Sequence, residues 1–326
     1  MEVAREAAHE AAAPPARKSA SGFRPLARSI RKSPSLYLLA LPGVVFLIIF
    51  GYFPLYGLLI AFKDFRVTDG ILGSPWVGLK NFEFFFTSDQ MFPLIRNTVL
   101  LNALFISFTT VFAVGIAMFL NEVRLKVFKR ISQSVIFFPY FVSWVVVGMM
   151  VAAFFGGDKP TVNEWLKALG LREVNWFYVP DIWPWMLTMI KVWHGAGYSS
   201  IIYLAAITAI PDELYEAARI DGASRWAMMR RITLPSLYPT ISILTLLAVG
   251  KIFNGDFGMI YAIVGDDSII YPTTDVIDTY VFRSMRYLND FGMSSAVGLF
   301  QSVIGFLFVF GVNAVVRRVS KESALF

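Results

Sequence analysis

The chain reads as an all-α integral membrane protein with six transmembrane helices. Three observations carry that class. Of 326 residues, 56% are hydrophobic and only 16% charged, against about 25% charged in a soluble domain, and mean hydropathy is +0.60. Apolar stretches of membrane-spanning length recur along the sequence, and the first, Ser35 to Phe62, carries no charge. Eighteen of the 29 Lys and Arg residues fall in four segments that an even number of spans puts on one side. The positive-inside bias makes that side cytoplasmic. It also accounts for the net charge of +6, so no nucleic-acid partner is expected. With no cysteine, disulfides, thiolate catalysis and Cys-based zinc sites are excluded.

Residues 1–34 form a basic cytoplasmic tail with Arg5, Arg17, Lys18, Arg24, Arg28, Arg31 and Lys32. Its Ala/Pro/Glu-rich first half has the composition of a disordered segment. From Phe23 on, Phe23, Leu26, Ala27 and Ile30 recur at helical spacing with arginines between. Two readings are open: a short helix on an anionic lipid surface, or a solvated tail that only sets orientation. A secretory signal is not expected, because the apolar run is too long and has no small-residue cleavage site.

The membrane domain covers 35–318. Ser35 to Phe62 exceeds the length needed to cross the bilayer, with Pro42 and Pro54 as kink sites. A polar and aromatic loop follows over 63–95. Asn97 to Asn121 is the second span, and Glu122 to Arg130 a short basic loop. Ile131 to Phe155 is the third span, 156–181 a loop, and the fourth span lies within Ile182 to Ile210. The fifth runs from Leu237 to Val264. A loop over 265–290 leads to the sixth, Phe291 to Val316, and residues 319–326 form a cytoplasmic tail.

Between spans four and five lies Pro211 to Pro235, a charged insert whose charges must stay hydrated outside the hydrocarbon. Pro211 suits a helix start. Asp212 and Glu213 fall in the first turn, where the helix dipole favours negative charge. Leu214, Ala217, Ala218 and Asp221 give an amphipathic spacing. Gly222 stands where a helix ends in a left-handed residue. Ser224 can cap a second short helix that Leu234-Pro235 stops. The expectation is helix, sharp turn, helix, carrying Arg219, Arg225, Arg230 and Arg231.

Glu216-Ala217-Ala218, three residues, Gly222, nine residues, Ile232, one residue, Leu234-Pro235 resembles the EAA loop of ATP-binding-cassette (ABC) importer permeases. Phe53 to Phe65 continuing to Gly73–Phe82, and Leu120–Arg130 with Ser143–Val146, are similar to the polysaccharide-importer branch of that family. The similarity covers most of residues 35–318. It implies the type I importer permease fold in a bacterial inner membrane, with both termini cytoplasmic. It implies a second homologous permease, an ATPase dimer that binds ATP and Mg, and a periplasmic solute-binding protein. It implies an oligo- or polysaccharide substrate, alginate among the candidates. It also makes Glu213, Glu216, Ala217, Ala218, Asp221, Gly222, Ala223 and Arg225 the residues that dock on the ATPase.

No enzyme site is legible. Nucleophile elbow, metal-ligand cluster and Gly-rich phosphate loop are all lacking, so no cofactor is expected in this chain. The intramembrane ionisable groups are the other functional candidates. Lys251 and Asp256 interrupt the fifth span with Asn254 between them. They line the translocation path, or make a structural contact or snorkel. Lys191 and His194, one turn apart, line the same path or mark the outer end of span four near Trp183, Trp185 and Trp193. Arg66, Arg96, Arg283 and Arg286 in the outer loops suit an acidic partner or plain solvation. An ion-coupled secondary transporter using Lys251 and Asp256 is the alternative function.

Overall fold

A computed structural model describes residues 33–319. The tail helix expected after Phe23 and the tail beyond 319 fall outside the described residues. The chain divides into two units, one ending at Tyr56 and one beginning at Gly57.

In the first unit, helix α1 (Pro34–Leu47) starts with Pro34 in its first turn, where no N–H is needed. Pro42 is accommodated inside the helix. A wide π turn, Ile48–Tyr52, then precedes Pro54, which has no N–H to continue the ladder. The side chains are apolar and exposed, as suits contact with lipid.

The run Phe53–Phe62 continues into the second unit and closes the first span. Asn81 Nδ2 donates to the carbonyls of Ala61 and Lys63, capping that end. Lys63 is buried, and its ammonium donates to the carbonyls of Ile71 and Leu72 at 2.7 and 3.0 Å. Helix α2 (Met91–Glu122) is longer than the expected second span at its outer end. The expected loop 265–290 contains helix α9 (Ile277–Tyr287). Helix α10 (Phe291–Val319) is the sixth span.

Two expected spans are not continuous. The third is helix α3 (Lys126–Phe137) and helix α4 (Trp144–Phe155), bent by 93° across the junction. Pro139 tightens the chain into a 3₁₀ turn there, and extended Ser143 caps α4 by accepting from Val146 N–H. The fifth begins at the charged insert itself: helix α7 runs from Arg225 to Val249 in one piece. Pro235 does not stop it. A π turn over Met229–Thr233 frees the carbonyl that the proline ring would strike, and Ser236 Oγ donates to the Ile232 carbonyl. At Val249 α7 ends, and Gly250 to Asp256 forms a break before helix α8 (Phe257–Val264). Gly250, Asn254 and Gly255 weaken the helix, and Asp256 starts the next one by accepting from Met259 N–H at 3.3 Å.

The fourth span is helix α5 (Trp183–Thr208). Among the described residues, four helices are long and apolar enough to cross a membrane, five if the bent pair is one span. At about 39 Å, α5 has the length but not the apolarity. The reason is its position: α2 and α5 form the most extensive helix pairing, and α5 buries polar Thr188, His194 and Ser200 against its neighbours. Small residues make the close approach possible. A Cβ on Gly148 would lie 2.1 Å from the Ala262 carbonyl oxygen, and one on Gly197 equally close to that of Ile136.

Candidate functional site: an exposed elbow and a polar cleft

The insert folds as helix α6 (Asp212–Ile220), a turn, and the start of α7. Gly222 is left-handed, with φ +75°. Its N–H donates to the Arg219 carbonyl at 3.0 Å, and Ala223 N–H to that of Ala218 at 2.9 Å. These two bonds make a complete Schellman ending. Ser224 caps the next helix, accepting from Ala227 N–H at 3.2 Å. Helix, sharp turn and second helix are therefore as the sequence indicated.

The buried face differs from expectation. Leu214, Ala217 and Asp221 are exposed, while Tyr215 and Ala218 turn toward the protein. Tyr215 OH lies 2.9 Å from Thr233 Oγ1, which ties α6 to the π turn of α7. The spacing of aliphatic residues alone does not show this, because Tyr215 packs through an aromatic ring that carries a hydroxyl. Glu213, Glu216, Gly222 and Arg225 are exposed and Ala223 half-buried. Ile220 is 88% and Trp226 64% exposed, so two large apolar side chains sit on a hydrated elbow. A polar cleft of about 410 Å³ lies between the elbow and the ends of α2 and α5. Glu122, Arg124, Asp212, Arg219 and Arg225 line it.

The intramembrane candidates separate. Lys191 on α5 forms an ion pair with Asp256, at the end of the break. The Lys191 ammonium also lies 5.4 Å from the centre of the Trp144 ring. Lys191 and Asp256 border a cleft of about 300 Å³ with Asn102, Thr109, Thr110, Ser199 and Tyr203. Thr109 Oγ1 is buried and has no hydrogen-bond partner among the described residues. His194 is buried elsewhere: its Nε2 is 3.0 Å from the Val142 carbonyl, and its ring stacks on Trp144 at 3.9 Å. It braces the bend of the third span. Lys251 and Asn254 are exposed in the break and do not line the cleft.

The outer arginines are engaged within the chain. Arg66 pairs with Asp64 at 3.1 Å. Arg96 lies on α2 and donates to the Pro272 carbonyl. Arg283 and Arg286 lie on α9, not in a loop. Arg283 grips Asp275 with two nitrogens, and Arg286 donates to Tyr261 OH. No group of three His, Cys, Asp or Glu among the described residues could hold a metal.

Residues 109–321 match the family described as binding-protein-dependent transport system inner membrane component. The chain belongs to that family. This inner membrane component is 36% identical to Protein LplB of Bacillus subtilis (strain 168) over 90% of its own length and 92% of LplB. It is 37% identical to the polygalacturonan/rhamnogalacturonan transport system permease protein YteP of the same organism, over 88% of its own length and 89% of YteP. Among solved structures it resembles a chain of a bacterial ABC transporter involved in the import of the acidic polysaccharide alginate. That match has a TM-score of 0.82 and 33% identity, and covers 90% of this chain and 99% of the other. The permease is thus a multi-pass inner membrane protein, a membrane component and not an ATPase.

Sequence reasoning missed the Lys191–Asp256 pairing, because the partners are 65 residues apart on different helices. It also passed over Ile220 and Trp226. Their signal was present: large apolar side chains in an otherwise charged loop.

Proposed function

We propose that the permease is one of two homologous membrane subunits of an ABC importer that carries an acidic oligo- or polysaccharide, such as alginate, from periplasm to cytoplasm. A periplasmic binding protein delivers the substrate. A partner ATPase dimer, holding ATP and Mg, drives transport. The observation that carries this reading is the likeness, along nine-tenths of the chain, to a subunit of an importer of an acidic polysaccharide. A related structure of such a transporter includes its alginate pentasaccharide-bound periplasmic protein, which supports the delivery step.

Both termini and the α6–α7 elbow face the cytoplasm, in line with the Lys/Arg bias. Glu213, Glu216, Ala217, Asp221, Gly222, Ala223 and Arg225 form the surface that the ATPase grips, with Ala218 packed behind it and Ile220 and Trp226 as apolar anchors. ATPase closure moves the elbow, and α7 carries that motion into the membrane to exchange outward for inward access. The ion-coupled alternative gains no support, since the relatives are binding-protein-dependent systems and Lys191 and Asp256 satisfy one another.

Affinity-tagged permease should bring down a second permease and an ATPase whose turnover rises with loaded binding protein. Glu216→Lys inserts normally and abolishes uptake, because it reverses a charge on the gripped surface. Wild-type uptake by that variant, or uptake that persists without ATP and collapses with uncouplers, overturns the reading.

A further inference from the structure

The Lys191–Asp256 pair is built unlike another partly buried ion pair among the described residues, Arg283–Asp275. Arg283 and Asp275 are 17% and 8% exposed, bonded through two nitrogens, and Asp275 also accepts from Thr279 at 2.6 Å. That pair is locked. Lys191 and Asp256 are 29% and 26% exposed, meet through a single contact, and open on the cleft.

Each partner also keeps a second interaction that does not depend on the other. Asp256 accepts from Met259 N–H and sits at the positive end of α8. Lys191 faces the Trp144 ring, which attracts a cation. Breaking an ordinary buried pair strands both charges. Breaking this one leaves the carboxylate on a helix N-terminus and the ammonium beside an aromatic face. The remaining cleft wall is largely apolar, with Phe105, Ile106, Ile202, Leu244 and Ala248, and among these it sets hydroxyl and amide groups from Asn102, Thr109, Thr110, Ser199 and Tyr203, including Thr109 Oγ1, unpartnered among the described residues. Hydroxyls and amides suit sugar hydroxyls, and the lone cation among the described lining residues suits a sugar carboxylate.

We propose that Lys191 is an exchangeable anion site: a uronate carboxylate displaces Asp256 from Lys191 as the sugar passes the cleft, and Asp256 returns when the sugar leaves. Asp256 is thus a place-holder that keeps the ammonium paired between substrates. The pair selects acidic over neutral saccharides. This rests on the importer reading above.

The test uses the complete transporter in proteoliposomes, with its binding protein and ATP, and follows uptake of an oligoalginate by Lys191→Met, Asp256→Asn and the double variant. Asn retains the helix cap, and the double variant leaves no stranded charge. Loss of Lys191 should lower kcat/KM for the oligoalginate about tenfold or more, in both the single and the double variant, the scale of one charged hydrogen bond. Asp256→Asn, which removes the carboxylate that competes for the ammonium, should move the other way and raise kcat/KM for the oligoalginate above the wild-type value. The same oligosaccharide with its carboxyls reduced to alcohols should be taken up equally by wild type and the double variant. If Lys191→Met and Asp256→Asn lose equally, or the double variant regains wild-type uptake, the pair is a structural tie and the proposal is overturned. A wild-type complex that imports no oligoalginate, even while its ATPase responds to loaded binding protein, overturns the acidic-substrate reading and this proposal with it.

Discussion

Gly222 and Gly197 show how single residues serve two different ends. Gly222 has open space where a side chain would stand, and its constraint is conformational: φ is +75°. An L-residue there costs about 1–2 kcal/mol. Gly222→Asp adds that strain and puts a carboxylate at the elbow tip, so uptake should be lost while the protein still inserts. ATPase-coupled uptake beside a membrane-insertion assay checks it. Gly197 has an ordinary helical conformation, and its constraint is steric, with the Ile136 carbonyl oxygen 2.1 Å from a notional Cβ. Gly197→Ala should destabilise by about 1–3 kcal/mol and lower Tm in detergent. Gly195→Ala, two residues away with nothing within 4 Å, should hold or raise Tm, since Ala is the better helix former. Equal Tm values for the two variants would discredit the packing argument. Gly222 was legible in the sequence, because its role is local and set by the helix ending before it. Gly197 was not, because the atom it makes room for lies on a helix about sixty residues earlier.

At the scale of elements, the break between α7 and α8 is held from one side by Asp278 of α9. Its Oδ2 accepts from Gly255 N–H at 2.6 Å and from Gln301 Nε2 at 2.9 Å. Gln301 also donates to the Phe253 carbonyl. A Cβ on Gly255 would lie 2.7 Å from that carboxylate oxygen and 2.8 Å from Val276 Cγ2, so a side chain there would push the carboxylate off its hydrogen bonds. Asp278 lies outside the spans, and burial pushes its pKa above the usual carboxylate range. A raised folded-state pKa means that the group's contribution is fully present below the unfolded value, about 4, and is lost as pH rises through the folded value. Asp278→Asn can accept the same two hydrogen bonds without titrating. The Tm difference between Asp278→Asn and wild type should therefore grow in favour of the variant as pH rises above about 4. A difference that stays flat with pH would exclude this account. Spans two and six were legible because apolar length defines them; span four, less apolar, was legible from its uncharged run between Lys191 and Asp212. The breaks in spans three and five were not, although their signals stood in the sequence: Pro139 followed by Ser143, and Gly250, Asn254 and Gly255 followed by Asp256. Mean apolarity across both stretches hid the punctuation.

For the whole molecule, the testable quantity is sidedness. The chain has no cysteine, so single-cysteine variants need no background removal. Ser224→Cys, in the elbow turn, should react with a membrane-impermeant maleimide only from the cytoplasmic side, and Ser268→Cys, before α9, only from the periplasmic side. Reaction of both from one side would refute the topology. The described helices are consistent with that alternation, since α7 separates the elbow from the break that precedes α9.

The unbroken course of α7 has a mechanical corollary. Had Pro235 stopped the helix, the elbow would hang from the membrane domain on a hinge. Instead a single rod of 25 residues, about 37 Å long, has the elbow turn at one end and the Gly250–Asp256 break at the other. Rotating a rod of that length by about 10° about one end swings the far end through about 6 Å, more than enough to pull a contacting ion pair apart. Leverage therefore needs no relay of side chains: whatever tips the hydrated end repositions the ground on which Asp256 stands.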